Sequence, residues 1–278
     1  MNDSSLQQKW LQTANGKICY YLAKQFDDRP TVIFLHGLSA NHTTWKTIFE
    51  KFRDFNLNYL APDLRGHGHS DKSKKRRLYK FSVFTDDLKQ IIEKENLSKV
   101  VLVGYSFGGS IALDYAIKYP TTVEGLVLIS ANHVNPLKYK KINFLTPLGY
   151  IFLNLLAWLL IWQKRKNYYY FDQATARGYW QSTFKGFTTM PITINLWLLS
   201  ELANLNLSHQ LAKITCPTLI VKSQADPFLS PAEAKDMNQK IKNSKIIILE
   251  DRTHFLASRC QEKIAKIISD FLKEQKII

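Results

Sequence analysis

The sequence predicts an α/β fold: a mostly parallel, doubly wound sheet with an N-terminal antiparallel hairpin and an inserted helical cap. Short apolar runs rich in β-branched residues alternate with stretches of helical spacing, which is the pattern of successive βαβ units. The alternation lapses between residues 129 and 218, where aromatic residues are frequent and the spacing is helical. We therefore predict a core of residues 1–131 and 209–278. The cap, residues 132–208, would be inserted at the carboxyl ends of the strands and cover a site there.

The hairpin is predicted from residues 10–13 and 17–23, which flank Asn15-Gly16. Asn-Gly is a strong hairpin signal because both residues tolerate a positive φ. These strands would lie at one edge of the sheet. Apolar runs predict the remaining strands at residues 31–35, 57–61, 100–103, 123–129, 218–221 and 246–249, and helical spacing predicts helices at residues 84–95, 110–116 and 264–272.

Composition limits the function classes. With 278 residues, 45% of them hydrophobic and 22% charged, the chain can bury a sizeable core. The net charge of +15 favours acidic partners, but no nucleic-acid-binding motif accompanies it, so we predict no nucleic-acid partner. Three cysteines without a CxxC pair indicate a reducing compartment. Residues 1–12 lack the apolar stretch of a signal peptide, so a cytoplasmic location is expected.

The most informative stretch is Gly104-Tyr105-Ser106-Phe107-Gly108, between a predicted strand and a predicted helix. Gly-x-Ser-x-Gly in this context is the nucleophile-elbow pattern. The glycines let strand and helix approach closely and hold the serine in a strained turn. Its hydroxyl then lies at the carboxyl end of the strand, beside the first amides of the helix. Ser106 is therefore predicted to be a nucleophile.

Further motifs follow a recognisable order along the chain: His36-Gly37, Asp63-Leu64-Arg65-Gly66-His67-Gly68, the elbow, residues 214–221, and Thr253-His254-Phe255. With these motifs the chain resembles the α/β-hydrolase fold superfamily, and within it serine esterases and lipases with a helical cap. The resemblance covers nearly the whole chain except the cap.

A serine hydroxyl needs a base within hydrogen-bond reach, and the base needs a partner that fixes its tautomer. The resemblance implies the chain order serine, acid, histidine. We predict His254 as the base and Asp226, in the loop after residues 218–221, as the acid. Glu250 and Asp251 are the rival acids and are interpreted as loop charges. An aspartate nucleophile, as in related dehalogenases and epoxide hydrolases, is disfavoured because the elbow holds Ser106.

The resemblance also implies an oxyanion hole formed by the backbone N–H groups of Leu38 and Phe107. His36 is predicted to be a structural hydrogen-bonding residue, and His67 and His69 are assigned no chemistry. Asp63, Asp86 and Asp87 are predicted to be structural. No metal-ligand spacing and no Gly-x-Gly-x-x-Gly fingerprint occurs, so neither metal nor cofactor is predicted.

Residues 146–162 form an apolar run that is shorter than the ~20 residues needed to span a bilayer. Two interpretations remain open. The helix is buried in the cap and lines an apolar acyl or alkyl pocket, or it lies partly in the interface of an anionic membrane. The second interpretation rests on Trp158, Trp162 and the flanking basic residues Lys138, Lys140, Lys141, Lys164, Arg165 and Lys166.

The predicted function is therefore a serine hydrolase that cleaves a carboxylic ester with a substantial apolar portion through an acyl-enzyme on Ser106. Its substrate would be a small-molecule or lipid ester, with peripheral membrane contact through the cap as an open possibility. A carbon–carbon bond hydrolase of the same fold is the alternative reaction, and a non-catalytic binding protein is the alternative class. The oligomeric state stays open.

Overall fold

A computed structural model describes residues 6–26, 29–52, 57–136, 146–161, 171–172, 179–251, 254 and 256–278. The strands are β1 (Gln7–Thr13), β2 (Gly16–Ala23), β3 (Thr31–Leu35), β4 (Asn58–Pro62), β5 (Val100–Tyr105), β6 (Val123–Ile129), β7 (Thr218–Ser223) and β8 (Ser244–Leu249). The α-helices are α1 (Lys46–Phe52), α2 (Phe81–Lys94), α3 (Phe107–Lys118), α4 (Thr146–Leu160), α5 (Tyr179–Thr188), α6 (Ile192–Ala203), α7 (Pro231–Lys240), α8 (Leu256–Arg259) and α9 (Gln261–Glu274).

The strands form one sheet in the order β1-β2-β4-β3-β5-β6-β7-β8. The pairs β1–β2 and β2–β4 are antiparallel, and all other neighbours are parallel. The prediction of a mostly parallel sheet with an antiparallel hairpin at one edge is therefore confirmed. The hairpin turn itself is one residue earlier than predicted, because Gly16, with φ of 118°, already pairs with Thr13 as the first residue of β2.

Alternating side chains of the central strands point into two separate apolar layers. In β5, Val100 and Leu102 lie in the layer under α2 and α3, whereas Val101 and Val103 lie in the layer under α1 and α9. Because both faces are covered, the strand is apolar throughout rather than alternating with polar residues. This burial explains why the central strands were recognisable from apolar runs alone.

Three helices, α1, α7 and the four-residue α8, were not predicted. The start of α7 carries a clear signal, since Ser230 and Glu233 form a reciprocal capping box and Pro231 occupies the first helical position. Helix α1 is only seven residues long, which leaves too few positions for a helical repeat to be visible.

The helices α4, α5 and α6 lie between β6 and β7, in the inserted stretch. The apolar run does form a helix, which begins at Thr146. Trp162 and the predicted basic flanks, Lys138, Lys140, Lys141, Lys164, Arg165 and Lys166, lie outside the described residues. Within the described part of the chain, no helix combines the length and apolarity needed to cross a bilayer.

The close approach of α3 to the sheet depends on glycine. An added Cβ at Gly108 would lie 2.3 Å from the carbonyl oxygen of Leu35 and 2.5 Å from that of His36. Both neighbours are backbone atoms at the end of β3, so a larger side chain could not be accommodated by a rotamer change. Gly108 therefore fixes how closely the helix that follows Ser106 can approach the central strand.

We predict that Gly108→Ala lowers the free energy of unfolding by about 1–3 kcal/mol, because overpacking against backbone displaces a whole element. Gly149→Ala is the matched control, since Gly149 is also helical but an added Cβ has nothing within 4 Å. That variant is expected to be neutral or to gain about 0.5–1 kcal/mol. Urea denaturation of both variants measures the difference, and equal stability of the two would contradict the assigned role of Gly108.

Candidate active site

Ser106 occupies a strained turn between β5 and α3. Its φ of 50° and ψ of −114° are unusual for a residue other than glycine. Its backbone N–H donates to the carbonyl of Ile129 at the end of β6 (2.9 Å), which anchors the turn to the neighbouring strand. The next residue, Phe107, begins α3, so its N–H has no acceptor inside the helix. The turn thus presents a hydroxyl and an unpaired helical amide side by side.

The three predicted catalytic side chains lie in hydrogen-bond contact. The Nε2 atom of His254 is 2.9 Å from the Oγ of Ser106. The Nδ1 atom of the same ring is 2.9 Å from Oδ1 and 3.1 Å from Oδ2 of Asp226. Since Nδ1 faces a carboxylate, it carries the proton and leaves Nε2 free to accept the serine hydroxyl. Sequence separations of 28 and 148 residues are bridged because β5, β7 and β8 all end at the same edge of the sheet.

Asp226 is held in its ionised form. Burial by itself raises the pKa of this carboxyl group, but hydrogen bonds from His254 and from the backbone of Phe228 outweigh burial and hold the pKa below its ordinary value. Its Oδ1 also accepts the amides of Phe228 and Leu229, at 2.9 and 3.1 Å. The loop backbone therefore fixes the carboxylate before the histidine binds to it.

The rival acids have other surroundings. Asp251 accepts from the ammonium group of Lys263, at 3.3 Å, on the protein surface. The side chain of Glu250 is exposed. Both agree with the interpretation as loop charges. Thr253 and Phe255, which belong to the predicted histidine motif, lie outside the described residues.

The loop that contains Leu38 adjoins the elbow. An added Cβ at Gly37 would lie 2.9 Å from the ring of Tyr105 and 3.6 Å from the Cβ of Ser106. The same loop is held from the side of the inserted helices, where the Ser39 hydroxyl donates to the side-chain oxygen of Asn195 on α6 (2.5 Å). The predicted oxyanion loop is therefore clamped between the elbow and the inserted helices.

His36 is a neutral cross-link between two loops. Its Nε2 accepts the backbone N–H of Leu64 (3.0 Å), and its Nδ1 donates to the carbonyl of Gly37 (2.8 Å). Burial lowers the pKa of His36 to about 4, although the charge of Asp63 acts in the opposite direction. A protonated ring would lose the bond from Leu64, so the cross-link requires the neutral form. The predicted structural role agrees with these contacts.

His67 and Asp63 belong to the same buried network. Burial lowers the pKa of His67 to about 3, and its Nδ1 donates to the carbonyl of Arg65 (3.0 Å). Asp63 accepts from the backbone and ring of His42 and from the amide of His69. These bonds outweigh burial and hold the pKa of Asp63 well below its ordinary value. The network supports the loop rather than the reacting groups.

Cys19, Asp63 and His69 bring possible metal-ligand atoms within 4.8 Å of one another. Burial raises the pKa of the Cys19 thiol to about 11, which disfavours the thiolate that binds metals. The Asp63 oxygens already accept hydrogen bonds from His42 and His69. This cluster has the chemistry of a hydrogen-bonded support, and we assign no metal to it.

Tyr105 and Phe228 contribute to the site without having been predicted. The Tyr105 hydroxyl donates to the backbone carbonyl of His254 (3.2 Å), and burial raises the pKa of Tyr105 so that it remains a neutral donor. Phe228 packs edge-on against the His254 ring, with the ring centres 4.8 Å apart. Both residues lie beside predicted ones, at the variable position of the elbow and in the Asp226 loop. Their contacts depend on folding and carry no signal in the sequence.

The family model described as alpha/beta hydrolase fold matches residues 30–257. Human Epoxide hydrolase 4 is 26% identical over 288 aligned residues, which cover 94% of this chain and 77% of that protein. An uncharacterized Mycobacterium tuberculosis protein is 33% identical over 105 residues, and this match spans 38% of the chain but only 30% of that protein's length. Among solved structures, an esterase from Exiguobacterium antarcticum has a TM-score of 0.75 and 21% identity, with 96% of this chain and 100% of the esterase covered.

The buried histidines predict an acid-dependent loss of stability. Free histidine titrates near pH 6.5, so below that pH the unfolded chain binds protons that folded His36 and His67 do not. The free energy of unfolding should therefore fall between about pH 6.5 and pH 4, by up to about 1.4 kcal/mol per pH unit for each histidine.

His67→Asn, whose amide can still donate to Arg65, should reduce this slope by up to about 1.4 kcal/mol per pH unit. His209→Asn is the control, because His209 is exposed, and it should leave the slope unchanged. Denaturant unfolding at a series of pH values measures both variants. An unchanged slope in His67→Asn would show that His67 is not the buried neutral group described above.

Proposed function

The chain belongs to the α/β-hydrolase fold family, and we propose that it is a serine hydrolase that cleaves carboxylic esters. The observation that carries this proposal is that the side chains of Ser106, His254 and Asp226 are hydrogen-bonded in a row, with contacts of 2.9 Å on each side of the imidazole. A neutral imidazole between a hydroxyl and a carboxylate is an arrangement that activates serine for acyl transfer.

The first half-reaction forms an acyl-enzyme. The Oγ of Ser106 attacks the ester carbonyl carbon while its proton passes to Nε2 of His254. The carbonyl oxygen becomes an oxyanion, which the N–H groups of Leu38 and Phe107 would stabilise. The intermediate then collapses, the bond between carbonyl carbon and alkoxy oxygen breaks, and His254 returns the proton to the departing alcohol. Asp226 keeps the positively charged imidazole oriented throughout.

The second half-reaction releases the acid. A water molecule gives a proton to Nε2 of His254 and attacks the acyl carbon. The bond to Ser106 Oγ breaks, and the serine recovers its proton from the imidazole. Besides the ester and water, these steps use the side chains of Ser106, His254 and Asp226 and the two backbone N–H groups.

Epoxide opening receives less support, although an epoxide hydrolase is among the similar proteins. The resemblance to such enzymes implies a carboxylate nucleophile at the elbow, whereas this chain has a hydroxyl at Ser106. The acid of the site, Asp226, faces Nδ1 of His254, on the far side of the ring from the nucleophile. Attack by a carboxylate at the elbow is therefore unavailable.

The inserted helices support an ester with a substantial apolar portion. Helix α4 contains no charged residue and α6 contains only Glu201. Asn195 on α6 contacts Ser39, one residue from Leu38, so the apolar helices adjoin the proposed oxyanion loop. An apolar wall beside the reacting carbonyl favours an acyl or alkyl chain over a charged substituent.

Substitutions at the triad test the reaction. We expect Ser106→Ala to abolish both labelling by a fluorophosphonate and hydrolysis of an aryl ester. Asp226→Asn should reduce kcat by about 10⁴-fold, because a side-chain amide would hold the wrong imidazole tautomer. Asp251→Asn is the matched control and should change kcat by less than about twofold, since the Asp251 carboxylate bonds to Lys263 and to the Cys260 thiol rather than to His254. An equal loss of kcat in the two aspartate variants would show that Asp226 is not the acid that orients His254.

A series of aryl esters tests the apolar preference. Each buried methylene contributes about 0.8 kcal/mol, or roughly fourfold. We expect kcat/KM to rise at least about tenfold from acetyl to hexanoyl esters, because two or more added methylenes would be removed from water. Ser106→Ala supplies the background rate for every ester. A decline in kcat/KM as the acyl chain lengthens would contradict the apolar wall while leaving the serine mechanism intact.

A further inference from the structure

Helix α4 has two apolar faces, and the described residues cover one of them. Ala157 is fully buried, and Leu153, Leu156 and Leu160 pack against the core beside α6. Asn154 lies between the two faces and donates to the Ser200 hydroxyl on α6 (2.9 Å). The opposite side carries a second apolar set, each member more than half exposed: Leu148, Ile151, Phe152, Leu155, Trp158 and Leu159.

The exposed set follows the repeat of a helix. Its spacings of three and four residues place all six side chains on one side of α4. An apolar helical side of this length, rimmed by polar groups, is typical of an interaction surface and rare on a monomer without one. Since the other side of α4 is fixed on α6, the helix cannot bury the exposed side by turning.

A basic segment lies alongside α4. Residues 72–80 contain six cations, of which Lys74, Lys75, Arg76, Arg77 and Lys80 are exposed. The Arg76 guanidinium donates to the hydroxyl of Tyr150 (2.6 Å), near the start of α4. At the other end, Lys72 and Lys74 line a small cavity together with Leu160 and Ile161. The segment therefore runs antiparallel to α4, along its flank between the covered and the exposed face.

Three cations of this segment, Lys74, Lys75 and Arg77, are available to a ligand. Within the described part of the chain, Lys74, Lys75 and Arg77 have no carboxylate oxygen within 4.0 Å. The adjoining helix α4 has no acidic residue that could neutralise them. The molecule thus places a neutral apolar strip beside three cations that have no carboxylate partner among the described residues, while Arg76 and Lys80 of the same segment lie near Glu201 of α6.

We propose that the exposed face of α4 and the basic segment 72–80 form a docking surface for an anionic lipid membrane. The apolar side chains would enter the boundary between headgroups and acyl chains, with α4 parallel to the membrane plane. The cations would contact the anionic headgroups beside it. A nucleic acid would match the charges but not the apolar strip, and an apolar protein surface would match the strip but not the charges. This surface does not include the triad, so the proposal stands independently of the reaction.

Flotation with vesicles of phosphatidylcholine, with and without phosphatidylserine, tests the proposal on the full chain. We expect the wild type and Ser106→Ala to bind equally, and to bind vesicles that contain phosphatidylserine much more tightly. Membrane binding by an inactive Ser106→Ala protein separates this proposal from the proposed reaction. Failure of the wild type to bind anionic vesicles at low salt would overturn the docking surface and leave the reaction untouched.

A matched pair of isoleucines tests the apolar strip. Ile151 on α4 and Ile248 on the edge strand β8 are both 59% exposed. Ile151→Gln should weaken vesicle binding by about tenfold, because one large apolar side chain is withdrawn from the bilayer boundary. Ile248→Gln should leave binding unchanged. An equal loss of vesicle binding in both variants would overturn the membrane assignment. Wild type that binds no vesicles but self-associates, with self-association lost in Ile151→Gln, would also overturn it and would indicate a second copy of the chain as the partner.

A matched pair of triple variants tests the charges. Lys74→Gln/Lys75→Gln/Arg77→Gln should weaken binding to anionic vesicles by about 10²-fold, at roughly fivefold per cation near the surface. Lys213→Gln/Lys235→Gln/Lys242→Gln removes the same charge from exposed positions elsewhere and should have a much smaller effect. Equal effects of the two triple variants would mean that net charge alone drives binding. Thermal melting verifies that each variant remains folded.

Discussion

The contact between α3 and the end of β3 is the constraint on which the rest of the site depends. Gly108 lets the helix lie against the carbonyl groups of Leu35 and His36, and this closeness forces Ser106 into its strained turn. The strain is tolerated because the Ser106 amide is bonded to Ile129 and its carbonyl accepts from Ser110. Parallel strands then bring Asp226 and His254 to the same edge of the sheet as Ser106, although the three residues are far apart in sequence. The geometry of the triad is thus a consequence of how tightly one helix packs on one strand.

A second layer of buried polar groups holds the loop beside Ser106. His36 joins this loop to the backbone of Leu64, and Ser39 joins it to Asn195 on the inserted helix α6. These contacts cost desolvation, and they are stable because each polar atom that takes part has a partner. His36 must be neutral for these contacts to form, since only the neutral ring can accept one hydrogen bond and donate another. Folding energy and site geometry therefore depend on the same few hydrogen bonds.

Prediction from sequence succeeded where a single physical requirement leaves a local pattern. Buried central strands are apolar throughout, the elbow needs its glycines, and the hairpin needs a positive φ at Gly16, so each was recognisable. Asp226 required the family resemblance as well, because Glu250 and Asp251 lie closer to His254 along the chain. Contacts such as that of Tyr105 with the His254 carbonyl, or of Ser39 with Asn195 across 156 residues, leave no pattern. These contacts form only when folding brings the loops together. The basic segment 72–80 likewise suggests a binding surface only because the fold places it beside α4.

The neighbours of α4 bear on both interpretations of the apolar run. A helix that is apolar all round needs an apolar neighbour on every side, unlike α9, which buries Ile264, Ile268 and Leu272 and presents charged residues outward. Helix α4 finds one such neighbour in α6, against which Ala157 is buried. It has no other neighbour of this kind among the described residues, while the cations of residues 72–80 adjoin its flank. A lipid membrane has an apolar interior beneath its anionic headgroups. It therefore complements both the exposed apolar side chains of α4 and the cations beside them.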